Sequence, residues 1–137
     1  MSLKREHIQP EKLFVRKDGQ KVLYSQVIVV HAADHKQIYV AGQTPRDREG
    51  NSVGVGDMRA QIVQVGENIK DALEAAGATL ADVVKTTTYV TDMDEYFKHQ
   101  DVRMQYFAEA LPTSTTIGVN RLSRPEFLVE IEVYAIV

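Results

Sequence analysis

The run Asp57-Met58-Arg59-Ala60-Gln61-Ile62-Val63-Gln64-Val65-Gly66-Glu67-Asn68-Ile69-Lys70-Asp71-Ala72-Leu73-Glu74-Ala75-Ala76-Gly77 decides the fold. Met58, Ile62, Val65, Ile69, Leu73 and Ala76 recur at steps of three and four, which places them on one stripe of an α-helix. Asp57 stands where it can cap the first turn, and Gly77 where it can end the last. The chain on either side has a different period. Leu13-Phe14-Val15 and Lys21 to His31 read as strands around the turn Lys17-Asp18-Gly19-Gln20, in which Asp-Gly is a strong hairpin signal. Val27-Ile28-Val29-Val30 is a continuous apolar run, expected to be buried on both faces. After the turn Ala32-Ala33-Asp34-His35, Gln37-Ile38-Tyr39-Val40-Ala41 returns as a third strand, and Arg46 to Gly56 is a polar, glycine-punctuated loop.

Beyond the helix, Ala81 to Thr91 is rich in β-branched residues and reads as strand. Asp92-Met93-Asp94-Glu95 opens a second helix, with Asp92 and Glu95 at capping-box spacing. Its expected apolar stripe is Phe97, Met104, Phe107 and Leu111, and Pro112 ends it. Thr115 to Asn120 and Phe127 to Val137 are the last two strands. The order β-β-β-α-β-α-β-β predicts a single α+β domain over residues 1–137, with both helices on one face of a mixed sheet. The uncovered face combines Thr, Tyr and Glu with aliphatic residues and is too apolar to be wholly solvated. A homo-oligomer with sites near subunit boundaries is therefore expected.

Composition excludes several classes. The 137 residues carry a net charge of -3, so nothing draws the chain generally to nucleic acid or an anionic membrane. Cysteine is absent, which removes disulfides, thiolate nucleophiles and thiolate metal sites. The segment Met1 to His7 lacks an apolar signal core and no run is long enough to span a bilayer, so a cytoplasmic protein is expected.

The last strand carries the clearest chemistry. Alternation puts Val129, Ile131, Val133 and Ala135 on a core face, and Glu130 and Glu132 together on the other, roughly 7 Å apart. Two carboxylates among Leu128, Tyr134 and Ile136 are either a placed acid/base site or a charged surface that discourages edge pairing. Pattern alone leaves both readings open.

A set of residues then falls into a familiar order: Tyr24-Ser25-Gln26, Ala41-Gly42-Gln43-Thr44-Pro45, Gly56-Asp57, Gln61, Asn68, Leu73-Glu74-Ala75-Ala76-Gly77, Asp82-Val83-Val84-Lys85-Thr86-Thr87, Thr91-Asp92-Met93-Asp94, Pro112 and Val129-Glu130-Ile131-Glu132. In these the chain resembles the RidA/YjgF family of small trimeric proteins, once labelled ribonucleases or translation inhibitors. The resemblance covers nearly the whole chain and is looser before Gly42. It implies a chorismate-mutase-like fold and a homotrimer whose sheets line a central barrel, with three clefts between subunits. It also implies hydrolysis of reactive enamines and imines to carbonyl compounds and ammonia, without metal or organic cofactor. By the same resemblance Glu130 positions or activates the attacking water, and Tyr24, Gly42 and Gln43 shape the pocket.

The chain departs from the family at the substrate clamp. Where the deaminase branch has Pro-Ala-Arg, this chain has Pro112-Thr113-Ser114, followed by Thr115-Thr116-Ile117. A guanidinium grips a carboxylate with two charge-assisted bonds, whereas a hydroxyl offers one neutral donor. Losing a charged hydrogen bond of about 1.5–3 kcal/mol weakens binding of a 2-imino acid by on the order of a hundredfold. Activity on amino-acid-derived imines is thereby placed in doubt. Ser114 and Thr115 remain candidate donors to a neutral group or a phosphate, or are plain polar residues opening a strand. Arg103 on the second helix can supply the missing charge or lie exposed.

The other chemistry-bearing residues read as structural. Glu132 is expected to pair with a basic neighbour across the sheet. Lys85, Arg121 and Arg124 read as interface or surface groups. His7, His31, His35 and His99 read as surface histidines, since His31 and His35 lie in a turn with no third metal ligand evident. Gly54-Val55-Gly56 lacks the lysine and full glycine pattern of a phosphate loop. The leading expectation is a cofactor-free enamine/imine hydrolase. The alternative is a trimer that binds a small metabolite without chemistry. A ribonuclease or translation inhibitor is disfavoured by the acidic charge and the lack of a basic, aromatic stripe.

Overall fold

The computed structural model describes residues 3–137. In chain order the elements are β1 (Lys4–Ile8), β2 (Lys17–Asp18), β3 (Lys21–Val22), β4 (Val27–His31), β5 (Lys36–Gln43), α1 (Met58–Ala75), β6 (Val83–Val90), α2 (Met93–Phe97), α3 (Gln100–Phe107), β7 (Thr113–Gly118) and β8 (Val129–Ile136). Six strands form one sheet in the order β1-β4-β5-β8-β6-β7, and β2 and β3 form a separate hairpin. The last strand of the chain thus lies inside the sheet, antiparallel to both β5 and β6. That arrangement makes β5 and β6 parallel to each other, as the crossover through α1 demands. The α2–α3 crossover likewise delivers β7 parallel to β6.

The core forms where the α1 stripe meets one face of the sheet. Met58, Ile62, Val65, Ile69, Leu73 and Ala76 are all buried, as their spacing predicts, against Val27, Val29, Ile38, Val40, Ile131 and Val133. Burying each of these larger side chains contributes about 1.5–3 kcal/mol, so this stripe fixes the helix on the sheet. Asp57 caps α1 by accepting from the Ala60 amide at 3.0 Å, and Gly77, at φ +78°, provides the left-handed residue that ends it. Two polar side chains on the buried face of α1 fasten loops. Gln61 donates to the Gly54 and Glu126 carbonyls and accepts from the Leu128 amide. Asn68 donates to the carbonyls of Thr44 and Arg46.

Several expectations are corrected. An additional strand, β1, pairs with β4 at the sheet edge. Four of its five residues are exposed, so no buried period marks it in the sequence. Leu13-Phe14-Val15 is not a strand; Leu13 enters the core from a turn. Lys21 to His31 is two strands, of which only Val27–His31 joins the main sheet, while the Asp18-Gly19 turn closes the hairpin as expected. Ile28 and Val30 are half-buried, because within one chain no layer covers their face. The second helix is broken at Lys98–His99 into α2 and α3 and ends four residues before Leu111. The break resets the helical phase. Tyr96, Val102 and Phe107 face the core, whereas Phe97, Met104 and Leu111 are exposed. Asp92 caps α2, but the Glu95 carboxylate turns to Lys98 and His99 instead of closing the capping box.

Candidate functional site

The site begins with the alternation of β8. Val129, Ile131, Val133 and Ala135 are buried, and Glu130 and Glu132 lie half-buried on the opposite face. Glu130 is paired with Tyr89 of β6 on one side. On its other side the β5–β8 register shifts between Val40 and Gln43, and this bulge brings the Gly42 backbone up to the Glu130 side chain. A Cβ at residue 42 would run directly into the Glu130 carboxylate, so the contact exists only because that residue is glycine. Glu130, Gly42, Tyr24, Thr44, Arg46 and Ser123 line a cavity of about 280 Å³.

Burial pushes the Glu130 pKa above the ordinary carboxylate value, the Glu132 charge pushes it further, and Arg46 opposes both. A carboxyl so placed holds its proton more readily than an exposed one, as a group that exchanges protons with a substrate must. Glu132 has a different environment. It accepts from the Tyr89 hydroxyl at 3.4 Å, and directly across from it on β6 is Thr87, where a basic partner was expected. The nearby Lys85 instead lies over the Tyr134 ring at 5.5 Å.

Arg46 is the residue that sequence reasoning missed. Asn68 holds its backbone, and its guanidinium lies 5.4 Å from the Phe127 ring and 5.7 Å from that of Phe14. Its Nη2 donates to Ser123 Oγ at 3.2 Å. A polar loop has no period to reveal an inward side chain; the one signal in sequence is its position three residues after Gln43. Gln43 is turned toward the core face. Its amide nitrogen donates to Gln26 Oε1 and to the Ala41 carbonyl, so it shapes the Gly42 segment from behind. Between Gln43, Tyr24 and Asn68 lies a polar cavity of about 20 Å³, room for a single water.

Ser114, Thr115 and Arg103 form a second group. Ser114 is paired with the buried Thr86 of β6 and shares its helix-covered face, while Thr115 lies with Thr87 and Glu132 on the other. Arg103 of α3 reaches the strand, its Nη2 donating to Ser114 Oγ at 3.3 Å and to Thr86 Oγ1 at 3.2 Å. A guanidinium therefore stands at the position where the strand itself has a hydroxyl. Glu130 and Ser114 project from opposite faces of the sheet, on strands separated by β6, so one chain does not join them into one pocket.

The remaining candidates are dispersed. Arg124 was expected at the surface but is half-buried, 5.3 Å from the Phe127 ring and bonded to Ser52 Oγ at 2.9 Å. His7, His31, His35 and His99 contact Ser25, Glu6, Asp34 and Glu95 respectively, and do not converge. His31, which ends β4 and is not in a turn, is half-buried, as are His35 and His99. Gly54 and Gly56, both at positive φ, make the turn into α1.

Fold and site together define a small α+β protein with a partly desolvated carboxylate held against a glycine in a sheet bulge. Known proteins share this build. The family described as Endoribonuclease L-PSP matches residues 20–137. A RutC family protein of Pyrococcus abyssi is 42% identical over 112 residues, covering 82% of this chain and 84% of its own. Among solved structures, the Rid-family protein YyfA of Yersinia pestis superimposes with a TM-score of 0.81 at 31% identity, over 98% of this chain and 100% of its own. RidA from an Antarctic Psychrobacter gives 0.80 at 30% identity, over 96% and 99%. The chain belongs to the Endoribonuclease L-PSP family, which is the RidA/YjgF family of the sequence resemblance.

Proposed function

We propose that the protein is a RidA-like hydrolase that adds water to the C=N bond of a reactive imine, reached directly or from its enamine tautomer, without a cofactor. Glu130 holds the attacking water and takes up its proton as oxygen bonds to carbon. The proton passes on to nitrogen to give an amino alcohol, and the same carboxylate then takes the hydroxyl proton as C=O forms and delivers it to nitrogen as the C–N bond breaks, releasing a carbonyl compound and ammonia. The observation that supports this most is the half-buried Glu130 packed on Gly42, with burial shifting its pKa upward.

The working unit is read as a homotrimer whose sheets enclose a central barrel. The uncovered face of the sheet supports it: Tyr39, Tyr134 and Ile136 are 37–47% exposed, with the two tyrosine rings stacked edge-on at 5.0 Å. In such an assembly Glu130 of one subunit and the Arg103–Ser114 pair of another can complete one cleft. Arg103 then serves as the substrate's anchor in place of an arginine at residue 114, with Tyr24 and Thr115 as further walls. The departure at Ser114 favours one other reading, a trimer that retains a small metabolite without turning it over. Neither reading involves nucleic acid, for which a net charge of -3 is unsuited.

Imines generated in place by an amino-acid oxidase, from a panel of neutral and charged amino acids, separate the two. Hydrolysis accelerated by the wild type and lost in Glu130→Gln supports the enzyme. Saturable ligand retention with no acceleration anywhere in the panel supports the binding module.

A further inference from the structure

Beside the Glu130 cavity lies a second, of about 220 Å³, lined by Phe14, Arg16, Lys17, Arg46, Ser123 and Arg124. Arg16, Arg46 and Ser123 border both cavities, which therefore adjoin. Three guanidiniums and an ammonium converge here in a chain whose net charge is -3, so a general excess of basic residues does not account for them. Among the described residues none of the four cations makes an ion pair. Glu126, the carboxylate at the edge of the cluster, is bonded to Ser52 Oγ at 2.8 Å, and Arg124 shares that hydroxyl.

Two of the cations are held in place. Arg46 and Arg124 both lie over the Phe127 ring, at 5.4 and 5.3 Å, which fixes two like charges near one another. Burial first, then the charge of Arg124 and, less strongly, that of Arg16, depress the Arg46 pKa, with Tyr24 and Glu130 opposing them only in part. Arg46 Nε is buried with no hydrogen-bond partner. Such an arrangement is unfavourable in the free protein and is relieved by an anion.

We propose that these side chains form an oxyanion site that receives a phosphate monoester group on the substrate, while the C=N bond lies toward Glu130. Arg46 borders both ends, and Arg16, Lys17 and Arg124 surround the phosphate. A carboxylate is satisfied by two parallel bonds from one guanidinium. Three guanidiniums and an ammonium suit a group with three peripheral oxygens and two charges, and arginine is the side chain best matched to it. The assignment deepens the hydrolase reading, on which it rests for the reacting end of the substrate, and it names a phosphorylated imine or enamine as the substrate class.

Calorimetric titration of the full chain with inorganic phosphate and with acetate, at constant ionic strength, tests it. Saturable phosphate binding is expected, with acetate weaker and with at least about a tenfold loss in Arg46→Gln, the effect of one charged hydrogen bond. Arg16→Gln, at an exposed side chain whose loss leaves the core intact, is expected to weaken phosphate in the same direction. Glu130→Gln is expected to retain it. No saturable phosphate binding, equal affinity for acetate, or an affinity unchanged in both arginine variants would overturn the site. The two readings fail separately. Imine turnover without phosphate binding removes the oxyanion site and leaves the hydrolase, whereas arginine-dependent phosphate binding without turnover upholds the site and removes the hydrolase.

Discussion

Holding Glu130 against the Gly42 backbone, out of bulk water, costs the folded chain stability whenever the carboxylate is charged. Its folded pKa lies above that of an ordinary glutamate, chiefly through burial. Between that value and the raised one the folded state binds more protons than the unfolded, so stability falls as pH rises through the window. Urea titrations over an acid-to-neutral pH series are expected to show this slope in the wild type and to lose it in Glu130→Gln, with a higher midpoint for the variant at neutral pH. The same shift places the acidic limb of the pH–rate profile above the range of an ordinary carboxylate. Gly42→Ala addresses the other half of the contact. Its methyl group must displace the Glu130 carboxylate, so turnover should fall while the far-ultraviolet circular dichroism stays unchanged.

At the level of elements, α1 was legible because its stripe persists over an 18-residue helix with a capping residue before it and a glycine after it. Asp57→Ala removes the bond to the Ala60 amide and is expected to cost about 1 kcal/mol in denaturant unfolding. β8 was equally plain, since period-two alternation with β-branched residues has no competing interpretation there. The α2–α3 region was not. Helices of 5 and 8 residues are too short to establish a phase, and a break at His99 makes a single frame through Phe97 and Leu111 misleading. β1 was invisible for a related reason, as an exposed edge strand buries no alternate set of side chains. In the site, Glu130 and Gly42 could be found because strand register and family order both point to them. Arg46 and Arg124 could not, because loop residues acquire their direction from Asn68, Phe127 and Ser52, which are distant in sequence.

Over the whole molecule, one chain leaves two things open: an uncovered sheet face that mixes tyrosines and aliphatic residues with Glu130 and Glu132, and two groups of candidate residues on opposite faces of the sheet. The proposed trimer would answer both, and Tyr134→Asp is designed to prevent it by placing a charge in the middle of that face. Sedimentation equilibrium should report three copies for the wild type and a smaller species for the variant, with turnover lost in parallel. No helix among the described residues is long and apolar enough to cross a membrane. The central claim is that this fold uses Glu130 to add water to a C=N bond. Ammonia release from an oxidase-generated imine, compared between the wild type and Glu130→Gln at equal protein concentration, tests it most directly. The account predicts acceleration by the wild type and a loss of about 10²–10⁴-fold in the variant; equal rates for the two proteins would contradict it.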